Sequence, residues 1–401
     1  MLENRSFDNM LGHLSLDGRN DIDGLRPGLS NEHEGETFEP FPLPSTVLSA
    51  DPPHGPEQTD DAVNGGQMDG FVREYAQKYP DGDADFRPGD VMGYHTADQV
   101  PVYSHLAKQF TVCDRWFCSV PGATWPNRLY AVAGRAPARA NRKPVPIYDE
   151  PTVFRHLDEA GATWCWYGHD PGTLRALDGT YRLGHDQNFA YFNRRTLLEQ
   201  RHFLDDAREG TLPNVAWIDP NFVDFQVPFD RTLSNDDHPP SDVRRGQQLV
   251  LDVYNAVARG PAWHKSLLLI TYDEHGGFFD HVPPPAAEDD REEFRRLGVR
   301  VPTLVVSPYV EPASVAPRDC VFDHTSILRS ILLRFCRRSD GGVPAMTRRA
   351  DAARDLWPLL TRDRPRDAPL DEIDELMGHS PTGNVKATSS GAPRTSRTSV
   401  Y

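Results

Sequence analysis

Between positions 267 and 285 the chain reads LLLITYDEHGGFFDHVPPP: a short apolar run gives way to Asp273, Glu274 and His275, then two glycines, then Asp280 and His281. Carboxylates and imidazoles this closely spaced offer oxygen and nitrogen donors to a cation. The run before them is branched and apolar without alternation, which predicts a strand buried on both faces. In open α/β sheets ligands sit in the crevice beyond the carboxyl ends of the strands, so Asp273 and Glu274 are expected to face a site. The bland reading is a polar junction of strand and loop. Gly276 and Gly277 let the backbone pass close to its neighbours there.

Other junctions also carry side chains capable of chemistry. Glu3 and Asn4 precede Phe7, Met10 and Leu11, which fall at helical spacing with Ser6 or Asp8 as the cap. Glu3, Asn4, Asp273 and Glu274 supply oxygen donors suited to a hard divalent ion. Thr124 lies in VPGATWPNR, a turn shaped by Gly and Pro just before a helix, where backbone N–H groups favour an anion. A nucleophile attacking phosphate needs that position; the competing reading is a plain helix cap. A hydroxyl is a weak nucleophile, and direct metal coordination lowers its pKa without a Ser-His-Asp triad. His54 follows two prolines, His185 sits in GHDQNF and His238 in NDDHPP. Taken singly, such residues are more often structural; together they suit phosphate contact, proton transfer or metal ligation. The chain has neither a G-x-S-x-G elbow nor a P-loop, which argues against an ordinary α/β-hydrolase and a P-loop enzyme.

A chain of 401 residues with 38% hydrophobic content can bury a large core. Its formal net charge of −16 argues against nonspecific nucleic-acid binding and against anionic lipid headgroups, so any membrane-surface contact is expected to be transient. Thirty-six prolines point to long irregular connections around the elements. The five cysteines show no C-x-x-C pair and read as buried thiols, with a Cys113–Cys118 bridge as the alternative in an oxidising compartment. No apolar run is long enough for a transmembrane segment.

The elements that must position these residues can be read from the hydrophobic pattern. Strands are predicted over 110–113, 163–167, 214–218, 267–271 and 301–306. Helices are predicted over 71–78, 103–110, from 129 onward, 152–160, 203–208, 242–258, 288–297 and 327–335, with Val243, Leu249, Val250, Val253 and Val257 facing the core. Strands alternating with helices predict an α/β fold with a largely parallel central sheet flanked by helices, interrupted by long excursions over 13–66 and 170–195. Residues 1–375 are read as one domain, and 376–401, poor in apolar residues, as a disordered tail. A carboxylate at the end of a buried strand needs about four to six apolar residues before it. Only Met1 and Leu2 precede Glu3, so the first strand reads as truncated. Without a signal peptide the chain as written is expected in the cytoplasm, whereas a longer natural N-terminus would imply export.

ENRSFD from Glu3, PPH at His54, NGGQMDGFV from Asn64, VPGATWPNR around Thr124, NDDHPP at His238 and DEHGGFFDHVPPP from Asp273 together resemble the phosphoesterase family of bacterial phospholipases C and related acid phosphatases. The resemblance runs from Glu3 to about Arg338. It implies an alkaline-phosphatase-like α/β fold and a site for one divalent metal ion at Glu3, Asn4, Asp273 and Glu274. It also implies Thr124 as the nucleophile, with His54, His185 and His238 as phosphate-contacting or acid/base residues; His185 matches through GHDQNF alone. The acid phosphatase branch tends to carry Ser at the nucleophile position, so Thr124 favours a phosphodiester such as a phospholipid over a monoester. A catalytically silent, lipid- or surface-binding relative is the reading from a different class. His275 stands where Gly is more usual, and a bulky imidazole there would either crowd the site or add a ligand.

Overall fold

The apolar run at 267–271 forms the strand Leu268–Thr271. It pairs antiparallel with Thr303–Val306, with Thr271 opposite Thr303 and Leu268 opposite Val306, and that strand pairs antiparallel with Thr111–Val112. A second three-stranded sheet is parallel: Trp164–Gly168 lies between Phe189–Tyr191 and Val215–Ile218. This computed structural model describes residues 1–80, 86–143, 147–170, 172–194, 201–222, 234–371 and 373–377. The tail expected from 376 lies, from 378 onward, outside the described residues.

The fold is therefore mixed α/β, and the expectation of a largely parallel sheet needs correcting where it matters most. The sheet that carries Asp273 is antiparallel. A parallel return needs a crossover of a dozen or more residues, usually a helix. The helix expected over 288–297 is instead one 3₁₀ turn, Glu292–Phe294, and the chain comes back beside its own strand in the opposite direction.

Other expectations agree with the structure. Val243–Ala258 is helical and buries Val243, Leu249, Val250, Val253 and Val257 as their spacing requires. Each such side chain contributes about 1.5–3 kcal/mol of transfer free energy. Phe71–Lys78, Pro101–Gln109, Val153–Glu159, Phe203–Glu209 and Thr325–Phe335 are helices at or near the predicted places. The excursion at 13–66 contains the helix Pro56–Val63, which the Pro, Asp and Gln residues in it concealed. All five cysteines are free and buried.

Residues 1–4 join the sheet through a single bridge. Leu2 pairs parallel with Tyr272, the Leu2 N–H donating to Thr271 O at 2.9 Å and the Asp273 N–H to Leu2 O at 3.1 Å. This sets Glu3 and Asn4 beside Asp273 and Glu274. Ser6 then caps the short helix Phe7–Met10 through the Asn9 N–H. A buried charge cluster fastens that helix: Arg300 reaches Asp8 (3.2 Å) and Asp280 (2.9 Å), and His281 reaches Asp8 (2.6 Å) and Asp23 (3.1 Å).

Candidate active site

Asn4 has a left-handed backbone, with φ of 59°. Its N–H donates to Asp273 Oδ1 at 3.2 Å, and its side-chain nitrogen lies 3.2 Å from His54 Nε2. His54 Nε2 is also 3.8 Å from Glu274 Oε1. The His54 and His238 rings meet edge to face, their centroids 6.0 Å apart. Asn4, His54, Glu274 and His238 thus converge on one point.

The glycine pair after His275 makes that convergence possible. A Cβ on Gly276 would stand 2.2 Å from Asn4 O, and one on Gly277 would stand 2.6 Å from Pro53 O. Both glycines have positive φ, 63° and 77°. The turn is therefore squeezed between Asn4 and the Pro-Pro segment that delivers His54, where a side chain has neither room nor the right backbone geometry. His238 is brought in by its neighbour Asp236: the Glu3 N–H donates to Asp236 O at 2.8 Å, and Asp236 Oδ1 accepts from the His238 N–H at 3.0 Å.

Each of these histidines is oriented by a backbone carbonyl. His54 Nδ1 lies 2.8 Å from Pro52 O, and His238 Nδ1 lies 2.6 Å from Pro239 O. A carbonyl only accepts, so Nδ1 carries the proton in both rings, and exchange with a ligand falls to Nε2.

Thr124 is the first residue of the helix Thr124–Ala133, and Ala123 holds the cap position, so the Thr124 hydroxyl is not spent on capping. One turn further on, on the same face, is Arg128. Its Nη2 lies 3.1 Å from Glu3 Oε1 and its Nε 3.2 Å from Asp273 Oδ2. This buried arginine went unremarked in the sequence, although its spacing of four from Thr124 was a usable signal. It ties the Thr124 helix to two of the expected metal ligands.

The four expected ligands differ in what they can still offer. Asp273 is fully engaged: Oδ1 accepts from the N–H groups of Asn4 and Glu274, and Oδ2 faces Arg128. Asn4 Oδ1 and Glu274 Oε1, by contrast, are buried without a hydrogen-bond partner. Burial pushes the Glu274 carboxyl up to about 8, and His54 only partly opposes this. Orphaned buried oxygens on an amide and a carboxylate, with two more carboxylates alongside, fit a hard cation. Asp51, His54 and His238 also bring one potential ligand atom each within 4.8 Å of one another. Lys78 pairs with Asp51 at 3.0 Å, as Arg128 pairs with Glu3 and Asp273 in the other set.

His185 lies apart from this group; His275 stands against it, its Nδ1 3.4 Å from Glu274 Oε2. His185 is exposed, with φ of 55°, and its ring packs on Tyr181 at 5.1 Å; among the described residues it makes no contact with Asn4, His54, His238 or Glu274. His275 is buried and packs edge to face on Phe71 at 6.2 Å, and neither of its ring nitrogens has a hydrogen-bond partner. Burial pushes its pKa down to about 4, so the ring is neutral.

The model of the phosphoesterase family matches residues 1–336. The chain belongs to that family. It is 32% identical over 402 residues to non-specific phospholipase C4 of Arabidopsis thaliana, covering 91% of this chain and 71% of the relative. It is 31% identical to phospholipase C B of Mycobacterium tuberculosis, covering 84% and 72%. The non-hemolytic phospholipase C of Burkholderia pseudomallei is 29% identical, covering 95% of this chain and 61% of the relative. A solved alkaline phosphatase superfamily protein from Vibrio parahaemolyticus superposes with a TM-score of 0.36 at 11% identity, over 88% of this chain and 77% of that one, too loose a likeness to carry the topology. The chain is a phosphoric ester hydrolase. Among the described residues no helix is long and apolar enough to cross a membrane.

Proposed function

We propose that this phosphoesterase hydrolyses phospholipids at the phosphodiester bond in the phospholipase C manner, on an alkaline-phosphatase-like scaffold. The observation that carries the reading is the convergence of Asn4, His54, His238 and Glu274, with Thr124 one helical turn before the arginine that binds Glu3 and Asp273. The relatives named phospholipase C support the diester over a monoester. Glu3, Asn4, Asp273 and Glu274 would hold one divalent ion, which supplies a lowered pKa for the Thr124 hydroxyl and charge compensation for the phosphate.

Thr124 Oγ1 attacks phosphorus in line. A bond from Oγ1 to phosphorus forms as the bond to the diglyceride oxygen breaks; Nε2 of His238 or His54 takes the Oγ1 proton, and the imidazolium so formed gives it to the departing oxygen. The Thr124 phosphodiester retains the headgroup. Water then attacks phosphorus and an imidazole takes its proton; the Oγ1–phosphorus bond breaks, that proton returns to Oγ1, and the headgroup phosphomonoester leaves. His185, exposed on its own loop, takes no part in this scheme.

Thr124→Ala should lower turnover of p-nitrophenyl phosphorylcholine at least about a thousandfold while leaving the metal content of the purified protein intact. Full activity in that variant would remove Thr124 from the mechanism, and activity surviving exhaustive chelation would remove the metal. Faster hydrolysis of p-nitrophenyl phosphate than of the diester would assign a phosphomonoesterase of the acid phosphatase kind instead. Binding of lipid vesicles without turnover of either ester would assign the silent relative.

A further inference from the structure

His54 faces two spaces. Its Nε2 meets Asn4 and Glu274, while the residue also lines a cavity of about 500 Å³ with Asp51, Gln58, Glu74, Gln77 and Lys78. The cavity walls come from the segment that delivers His54 and from the helices Pro56–Val63 and Phe71–Lys78.

The lining has a definite chemistry. Among the described residues it includes no Phe, Tyr or Trp and no branched aliphatic side chain, so they offer nothing to an acyl chain. It is rich in acceptors. Asp51 Oδ1 is buried without a hydrogen-bond partner, and Glu74 is a buried carboxylate whose neighbour Arg73 takes only Oε1, at 3.2 Å. Lys78, the one Lys or Arg among the described lining residues, is already committed to Asp51, donating to its backbone oxygen at 2.6 Å and to Oδ2 at 3.0 Å. A ligand group that brings N–H donors and a positive charge completes this set. A quaternary ammonium brings no N–H and relies on aromatic faces, which the cavity lacks.

We propose that this cavity is the headgroup subsite, and that Asp51 and Glu74 select a phosphodiester whose headgroup carries a primary ammonium over one carrying a quaternary ammonium. The inference rests on the phosphodiester reading above. In that reaction the headgroup stays on phosphorus while phosphorus is attached to Thr124, so its subsite must adjoin the residues that handle the phosphate. His54 is the residue common to both.

The test compares kcat/KM for phosphatidylethanolamine and phosphatidylcholine presented in the same mixed micelles. The wild-type protein should favour the ethanolamine lipid about tenfold or more, the usual size of one charge-assisted contact. Glu74→Gln should bring that ratio below about threefold. Gln77→Trp, at an exposed position where folding is not at stake, puts an aromatic face on the rim and should lower the ratio by favouring choline. A wild-type ratio within threefold, or a ratio that neither variant moves, overturns the assignment. Turnover of neither lipid defeats the phosphodiester reading instead. The subsite is then decided by calorimetry on the wild-type protein: phosphoethanolamine binding at least tenfold tighter than phosphocholine upholds it, and equal binding overturns it.

Discussion

His281 provides a test of what holds the two halves of the site together. Its ring is buried between Asp8 and Asp23, with Asp280 and Arg300 completing the cluster. Burial alone pushes its pKa down, but the Asp8 charge and the hydrogen bonds that the ring donates to Asp23 and Asp8 outweigh this and raise it to about 9 from 6.5. A folded-state pKa above the unfolded one means that the charged ring stabilises the fold fully below pH 6.5. That contribution fades as the pH climbs through about 9. At about 1.4 kcal/mol per pH unit, the rise corresponds to about 3 kcal/mol. Asp23, held down to about 2 chiefly by the hydrogen bond from His281, reports the same interaction from the other side, and its share is not additional. The perturbation is His281→Gln, which keeps hydrogen-bonding capacity and removes the charge. Urea unfolding of both proteins at pH 6, 7.5 and 9.5 should show a gap of about 3 kcal/mol at pH 6 that shrinks toward pH 9.5. Parallel curves for the two proteins across that range would refute the charged imidazole.

The site makes further predictions about stability. Arg128→Met strands Glu3 and Asp273 as buried carboxylates without their ion-pair partner, and should cost about 3–5 kcal/mol by urea unfolding; a loss below about 1 kcal/mol would take the ion pair out of the account. Gly276→Ala forces a Cβ to within 2.2 Å of Asn4 O at a φ of 63°. It should cost at least about 2 kcal/mol in thermal unfolding and lower turnover about tenfold or more, and wild-type melting with wild-type activity would show that the turn yields.

What could be read from the sequence was what local chemistry determines. The apolar run before Asp273 announced a strand, and the stripe from Val243 to Val257 announced a helix with its buried face, because a buried run and a 3.6-residue period have no other economical use. The motifs also pointed to Asn4, His54, His238 and Glu274, four side chains that the fold brings together from four distant stretches. Strand direction was not legible, because it depends on whether the return path contains a helix, and the charged segment 288–297 mimics one without forming it. Arg128 passed unnoticed because a buried arginine looks like any surface arginine until its two carboxylates are known to be nearby. His185 drew attention through a short local pattern, and a pattern of six residues carries no information about the distance between its loop and the site. Asp51 was visible only as part of a Pro-Pro segment; its role depends on Lys78 and on the helix wall opposite, both set by tertiary packing.

The bridge between Leu2 and Tyr272 also determines when in the life of the chain this chemistry becomes available. The Asn4 N–H finds Asp273 across 269 positions, and Arg300 finds Asp8 across 292. Closing so long a loop costs little more free energy than closing one half its size, but contacts of such separation form slowly. At a synthesis rate of about 5–20 residues per second, the segment bearing Glu3 and Asn4 emerges roughly 15–55 s before the strand it must join. For that interval Leu2, Phe7 and two carboxylates destined for burial lack their long-range partners Thr271, Arg300 and Asp273. The parallel sheet around Trp166 draws on residues 164–218 alone and can assemble meanwhile. Turnover is thus a late reporter of folding in this enzyme, and residues 2–8 are among the last of its parts to acquire their function.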